Sequence, residues 1–119
     1  MENITIKTVP KSQIRNNGIG DYKKTKNGIE ILVAKTGDKN AQRGVAIHEL
    51  TESLLAKQRG ISFRKIDQFD RKNKNSKGEP GEMTKAPYKK EHAVANKVEK
   101  ILVRELKNKR ITSDGYLKC

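Results

Sequence analysis

Apolar and polar residues alternate over Ile4-Thr5-Ile6-Lys7-Thr8-Val9 and stop at Pro10, the period-two pattern of a strand. Asn16-Asn17-Gly18 and Gly20 are turn material, and residues 21–24 read as a second, short strand. Asn27-Gly28 follows, and Asn-Gly between two extended runs is the strongest short hairpin signal. The best-patterned strand is Ile29-Glu30-Ile31-Leu32-Val33-Ala34. A loop at 36–40 then leads into a predicted helix over 41–59, with Asp38 or Asn40 placed to cap it. Val45, Ile47, Leu50, Leu54 and Leu55 make its apolar stripe, and Gly60 marks its end. Residues 61–70 predict a short helical segment with two Phe rings, Phe63 and Phe69, and 71–87 a long basic loop. A second long helix over 88–108 presents Val94, Ala95, Val98, Ile101, Leu102 and Leu106. Strands, helix, loop, helix is the order of an α+β domain: a small N-terminal antiparallel sheet packed with two long helices over 1–110, then a weakly ordered tail at 111–119.

Composition narrows the partners. The 119 residues carry 27 Lys and Arg against 14 Asp and Glu, a formal charge of +13. That balance predicts weak, salt-sensitive, non-specific association with nucleic acid. Phe, Trp and Tyr make up only 4%, fewer than a base-stacking reader normally carries. Arg71, Lys72, Lys74 and Lys77 are the candidate phosphate contacts, although a merely solvated loop is the better explanation of them. The one cysteine, Cys119, excludes both an internal disulfide and a thiolate metal cage and reads as an inconsequential thiol. No run approaches the ~18–20 apolar residues of a membrane span, and Met1-Glu2-Asn3-Ile4 has no signal-peptide run. A soluble protein of a reducing cytoplasm is expected.

His48-Glu49-Leu50-Thr51-Glu52 carries the candidate chemistry. Residues four apart share a helical face, so His48 and Glu52 can address one target. The only other histidine, His92, opens the second long helix. Two His and one Glu are the ligand inventory of many catalytic zinc sites, which keep a further position for water. Glu91, next to His92, is placed to orient a ring nitrogen. The plainer reading is a surface hydrogen bond between residues i and i+4. Against it, both histidines of a Lys-rich chain fall beside the apolar stripes of its two long helices. Asp67 and Asp70 are further candidate ligands, or partners of Arg64 and Arg71. Tyr88 is placed to pack or hydrogen-bond near His92.

The His-Glu-x-x-Glu run resembles the His-Glu-x-x-His helix of zinc peptidases, with Glu in the fifth position. That resemblance implies a zincin-like fold, a zinc cofactor, a peptide or protein substrate, and Glu49 as general base rather than an ordinary surface acid. By the same analogy, the strand that ends before the first helix takes the place of the edge strand that holds substrate. Residues 44–55, Gly60-Ile61, 66–70, Pro80-Gly81 and 86–95, with Gly20-Asp21-Tyr22, also resemble a family of small phage and prophage proteins. That family implies no activity, but it joins His48, Glu49, Glu52, Glu91 and His92 in one pattern and places the protein in a host cytoplasm. The readings that remain are a zinc-dependent hydrolase, or a non-catalytic basic protein that binds nucleic acid or a host or virion protein.

Overall fold

The computed structural model describes residues 2–108, 110–111 and 117–118. Strands β1 (Asn3–Val9), β2 (Gly20–Thr25) and β3 (Gly28–Ala34) form one sheet in the order β1-β3-β2. Helices α1 (Lys39–Gln58), α2 (Phe63–Lys72) and α3 (Lys89–Lys107) complete a small α+β fold. No helix among the described residues is long and apolar enough to cross a membrane.

The sheet is mixed, not antiparallel. β2 and β3 form the expected hairpin, but β1 pairs parallel to β3, Ile4 beside Ile29 and Ile6 beside Ile31. The cause lies in β3 itself, whose continuous Ile31-Leu32-Val33-Ala34 run is buried on both faces. Such a strand belongs in the middle of a sheet, so β1 must flank it on the side away from β2. Ile29, Ile31 and Val33 join Tyr22 in the main core, while Leu32 and Ala34 pack against Ile14 from the β1–β2 connection. β3 is therefore no substrate-holding edge; the edges are β1 and β2. Ile4 and Ile6 on the β1 edge remain 41% and 50% exposed.

The hairpin glycine serves a purpose other than the turn. Gly28 already pairs with Thr25, so the two turn residues are Lys26 and Asn27, and none of the three has a positive φ. A Cβ on Gly28 would instead collide with the backbone carbonyl of Asn3. Gly28→Ala should push the start of β1 off the sheet and cost about 1–3 kcal/mol, as forced overpacking does. Thermal melting, with faster amide exchange at Ile4 and Ile6, checks this; Gly37→Ala, where a Cβ meets nothing within 4 Å, is the control.

α1 begins at Asp38, whose carboxylate accepts from the amides of Asn40 and Ala41. It ends at Gly60, which has a φ of +71°, while the Ile61 amide reaches back to the Ala56 carbonyl at 2.9 Å. Between these caps the buried positions are Gly44, Val45, His48, Glu52, Ser53 and Ala56. The expected stripe is thus displaced: Leu54 is exposed, and the polar pair sits inside. α3 turns in the same way, burying Glu91, His92 and Ala95 and leaving Val94 and Ile101 exposed. α1 packs against both α3 and the sheet, so its inner flank, rather than its most apolar stripe, is the one enclosed. Beyond α3, Arg110–Ile111 (β4) pairs with Leu117–Lys118 (β5), a short ladder where the sequence pattern gave none. The rest of the expected tail, Cys119 included, lies outside the described residues.

Candidate metal centre

Two close approaches of backbone set the site. At Gly44 a Cβ would stand 2.5 Å from Val103 Cγ2, so α1 and α3 can cross closely one turn before His48. At Gly81, in a short 3-10 turn (Pro80–Glu82), a Cβ would stand 2.5 Å from both Cγ and Nδ1 of His92. The later part of the loop does more than connect: its Pro80-Gly81 backbone lies on the His92 ring.

The structure brings His48, Glu52 and His92 together, all buried. Glu52 Oε2 is the shared point, 3.2 Å from His48 Nε2 and 2.8 Å from His92 Nδ1. Its other oxygen, Oε1, accepts the Tyr22 hydroxyl at 2.8 Å, which fixes the plane of the carboxylate. The two rings stand edge to face, with centroids 4.9 Å apart. On the outer side of each ring lies a further carboxylate: Glu99 Oε1 is 2.9 Å from His48 Nδ1, and Glu79 Oε2 is 2.9 Å from His92 Nε2. Both oxygens sit off the ring N–H direction, so among the described residues neither buried nitrogen has an aligned hydrogen-bond partner. These are close charge contacts rather than formed hydrogen bonds.

The role expected of Glu91 thus falls to Glu79 and Glu99. The Glu91 carboxylate accepts from Arg59 at 2.7 Å and ties the first turn of α3 to the end of α1. Burial of an ionised carboxylate requires a partner, and Arg59 is the cation that reaches it. Arg71, Lys72, Lys74 and Lys77 are exposed at the end of α2 and in the loop after it, and none of them lines the site.

Around the three central groups lies a pocket of about 140 Å³. Asp21, Asp67, Asp70, Glu79 and Glu99 surround Glu49 and Glu52 there, so half of the chain's 14 acidic residues line one pocket of a strongly basic protein. Arg15 clamps two of them, donating to Asp21 at 2.6 and 3.0 Å and to Asp67 at 3.1 and 3.2 Å. The Tyr88 hydroxyl donates to Asp70. Among the described residues, Glu49 accepts no hydrogen bond; its Oε2 lies 3.7 Å from His48 Nε2. Gly20 of β2 lies against it, where a Cβ would stand 2.8 Å from Glu49 Cγ.

Charge follows from this crowding. Burial raises the Glu49 carboxyl well above the usual range, and the charges of Glu52 and Asp21 raise it further. Burial also works against the Glu52 carboxylate, but hydrogen bonds from His48 and His92 outweigh it and hold that carboxyl low. For His92, burial opposes the charge while Glu52 and Glu79 overcome it, pushing the imidazole up to about 10. The pocket favours positive charge on its floor, the condition a metal cation needs.

Asp70 gives a pH test away from the ligands. Burial pushes it from 3.8 up to about 6, against the Tyr88 hydrogen bond and with Glu52, Asp67 and Asp21 adding to the rise. The folded state holds this proton more tightly than the unfolded chain. Its contribution is therefore complete below the ordinary value and lost as pH rises through about 6. Asp70→Asn keeps an oxygen for Tyr88 and removes the charge. Solvent screening at this partly exposed group leaves about 1 kcal/mol, so the variant should melt a few degrees higher than wild type at pH 8 and together with it at pH 4. Melting curves across that range check the sign.

Glu79 and Glu99 do not stand out in the sequence, and Tyr22 and Gly81 enter only through the resemblance to small phage proteins, which assigns them no role. The one available signal was the spacing of Glu99, seven residues after His92 and so on the same helical face. No protein-family model, curated protein or solved structure matches the chain.

Proposed function

We propose that this protein is a zincin-like, zinc-dependent hydrolase acting on a peptide or protein. The observation that carries this reading is the chain of contacts Glu99–His48–Glu52–His92–Glu79. Each imidazole faces a shared carboxylate oxygen with one nitrogen and a further carboxylate with the other. Ligating histidines characteristically have such outer partners, and two His with one Glu suit zinc. The buried nitrogens without aligned partners and the close Gly81 backbone fit a site shaped around these rings.

His48 Nε2, His92 Nδ1 and Glu52 Oε2 would hold the ion. A divalent cation there supplies Lewis acidity toward a carbonyl oxygen and lowers the pKa of water. Tyr22 keeps Glu52 turned toward both rings. Glu49, beside His48 and engaged by no donor among the described residues, would in its ionised form take a proton from the attacking water on Oε2 and pass it to the leaving amine; its surroundings favour the protonated form, which suits the second, acid half of that role. The pocket is small enough that only the scissile group enters, and the rest of a peptide lies across its mouth. The resemblance to small phage proteins names a setting but adds no chemistry.

The test is metal content of protein made without a polyhistidine tag, followed by melting with zinc and with chelator. One ion per chain and a zinc-dependent rise in melting temperature are expected. No bound ion after zinc loading and no change in melting would end the reading. Stoichiometric iron in place of zinc would keep the ligands and overturn the hydrolase, because two His and one carboxylate also hold iron(II) in oxygenases.

A further inference from the structure

A second concavity lies between the β2–β3 hairpin and α2, with a volume of about 1060 Å³. Its floor is apolar, formed by Ile29, Ile61 and Phe63. Phe63 is half-buried and held by an edge contact with Tyr22, the ring centroids 5.0 Å apart, so its ring is a fixed surface. Lys24, Lys26, Arg64 and Arg71 stand exposed on the rim, and no carboxylate among the described residues pairs with any of the four. The two acids that line the groove are already engaged, Glu2 by Lys57 and Asp67 by Arg15. The segregation of acids into the metal pocket leaves this face cationic.

We propose that this groove binds single-stranded nucleic acid, the phosphates on the four rim cations and a base against Phe63 and its apolar neighbours. A cationic rim around an apolar floor is the arrangement that lets bases leave water while the backbone stays on positive charge. A duplex keeps its bases stacked inside and offers the floor nothing. An acidic peptide would satisfy the rim without needing the aromatic. Of the loop cations picked out by the sequence, only Arg71 lines this groove.

The experiment is fluorescence anisotropy of the full chain with a labelled single-stranded oligonucleotide of about twelve nucleotides, a length that spans one binding groove. The quadruple variant Lys24→Gln, Lys26→Gln, Arg64→Gln, Arg71→Gln is compared with a charge-matched one, Lys74→Gln, Lys77→Gln, Lys97→Gln, Lys100→Gln, both verified as folded by circular dichroism. The groove variant should bind at least tenfold more weakly, and its log affinity against log salt should be shallower by about 3, as four lost phosphate contacts on a single strand require. The control should lose less than threefold. Phe63→Leu, which keeps an apolar side chain but removes the ring, should weaken binding severalfold without changing the salt slope. Equal losses in the two quadruple variants, equal affinity for a duplex of the same length, or an unaltered Phe63→Leu would overturn the proposal in favour of diffuse charge. Displacement by oligoglutamate at matched charge would overturn it in favour of an acidic peptide.

Discussion

Under the zinc reading, alanine at His48 or His92 is expected to remove the whole of any zinc-dependent gain in stability. Each ring contributes one of three donor atoms, the third being the Glu52 oxygen that both rings face, and two donors rarely retain zinc. Ligand held only by the folded state stabilises it by about 2.7 kcal/mol when free ligand exceeds its dissociation constant a hundredfold. For a domain of this size that is roughly 10 °C of melting temperature. Wild type should therefore gain that increment with zinc and lose it with chelator, while His48→Ala and His92→Ala melt at one temperature in both. The comparison within each variant matters, since deleting a buried ring also lowers the metal-free baseline. Glu99→Gln should lie between, with affinity about 10–100-fold weaker, the usual cost of losing a partner behind a ligating imidazole. A zinc-dependent gain of wild-type size in either alanine variant would show that the ion, if one binds, is held elsewhere.

The elements themselves were legible because their signals are local. The Asp38 cap, the Gly60 stop and both long helices lie where period and punctuation put them, and the Asn27-Gly28 signal marks the right hairpin although its two turn residues are Lys26 and Asn27. Strand order was not legible in the same way. Nothing in Ile4–Val9 states which neighbour it will take, and its place beside β3 follows from the two-sided burial of that strand, a tertiary fact. The helix faces were misread for a related reason. Periodicity weighs apolar residues, so it placed Leu54, Val94 and Ile101 inward and the histidines at the margin. In the structure the enclosed flank of α1 carries His48 and Glu52 because α3 and the sheet both press on that side.

The same limit governs the site. His48, Glu52 and His92 stand out because histidine is scarce here and one pair has helical spacing. Glu79 and Tyr22 reach the centre from a loop and from a strand, and neither has a spacing to His92 or Glu52 that a linear pattern encodes. Gly81 falls within the resemblance to small phage proteins, but its contact with His92 is visible only from what a side chain would strike. Glu91 misled because adjacency to His92 in sequence turns it, on a helix, about a quarter-turn away, toward Arg59.

Glu49→Gln is expected to separate activity from stability. The carboxyl is crowded by Glu52 and Asp21 and receives no hydrogen bond among the described residues, so its ionised form is costly in the fold. Glutamine fills the same volume without the charge; the variant should bind zinc in the same amount and melt at or slightly above wild type. Hydrolysis of a fluorogenic peptide library should fall about 10²–10⁴-fold, the range over which a positioned general base contributes. These two signs together discriminate the roles open to this residue. Loss of zinc with loss of activity would make Glu49 a ligand, and full activity in the variant would remove it from the chemistry. A clear drop in melting temperature would make its carboxylate a structural partner, a role that the 3.7 Å separation from His48 argues against.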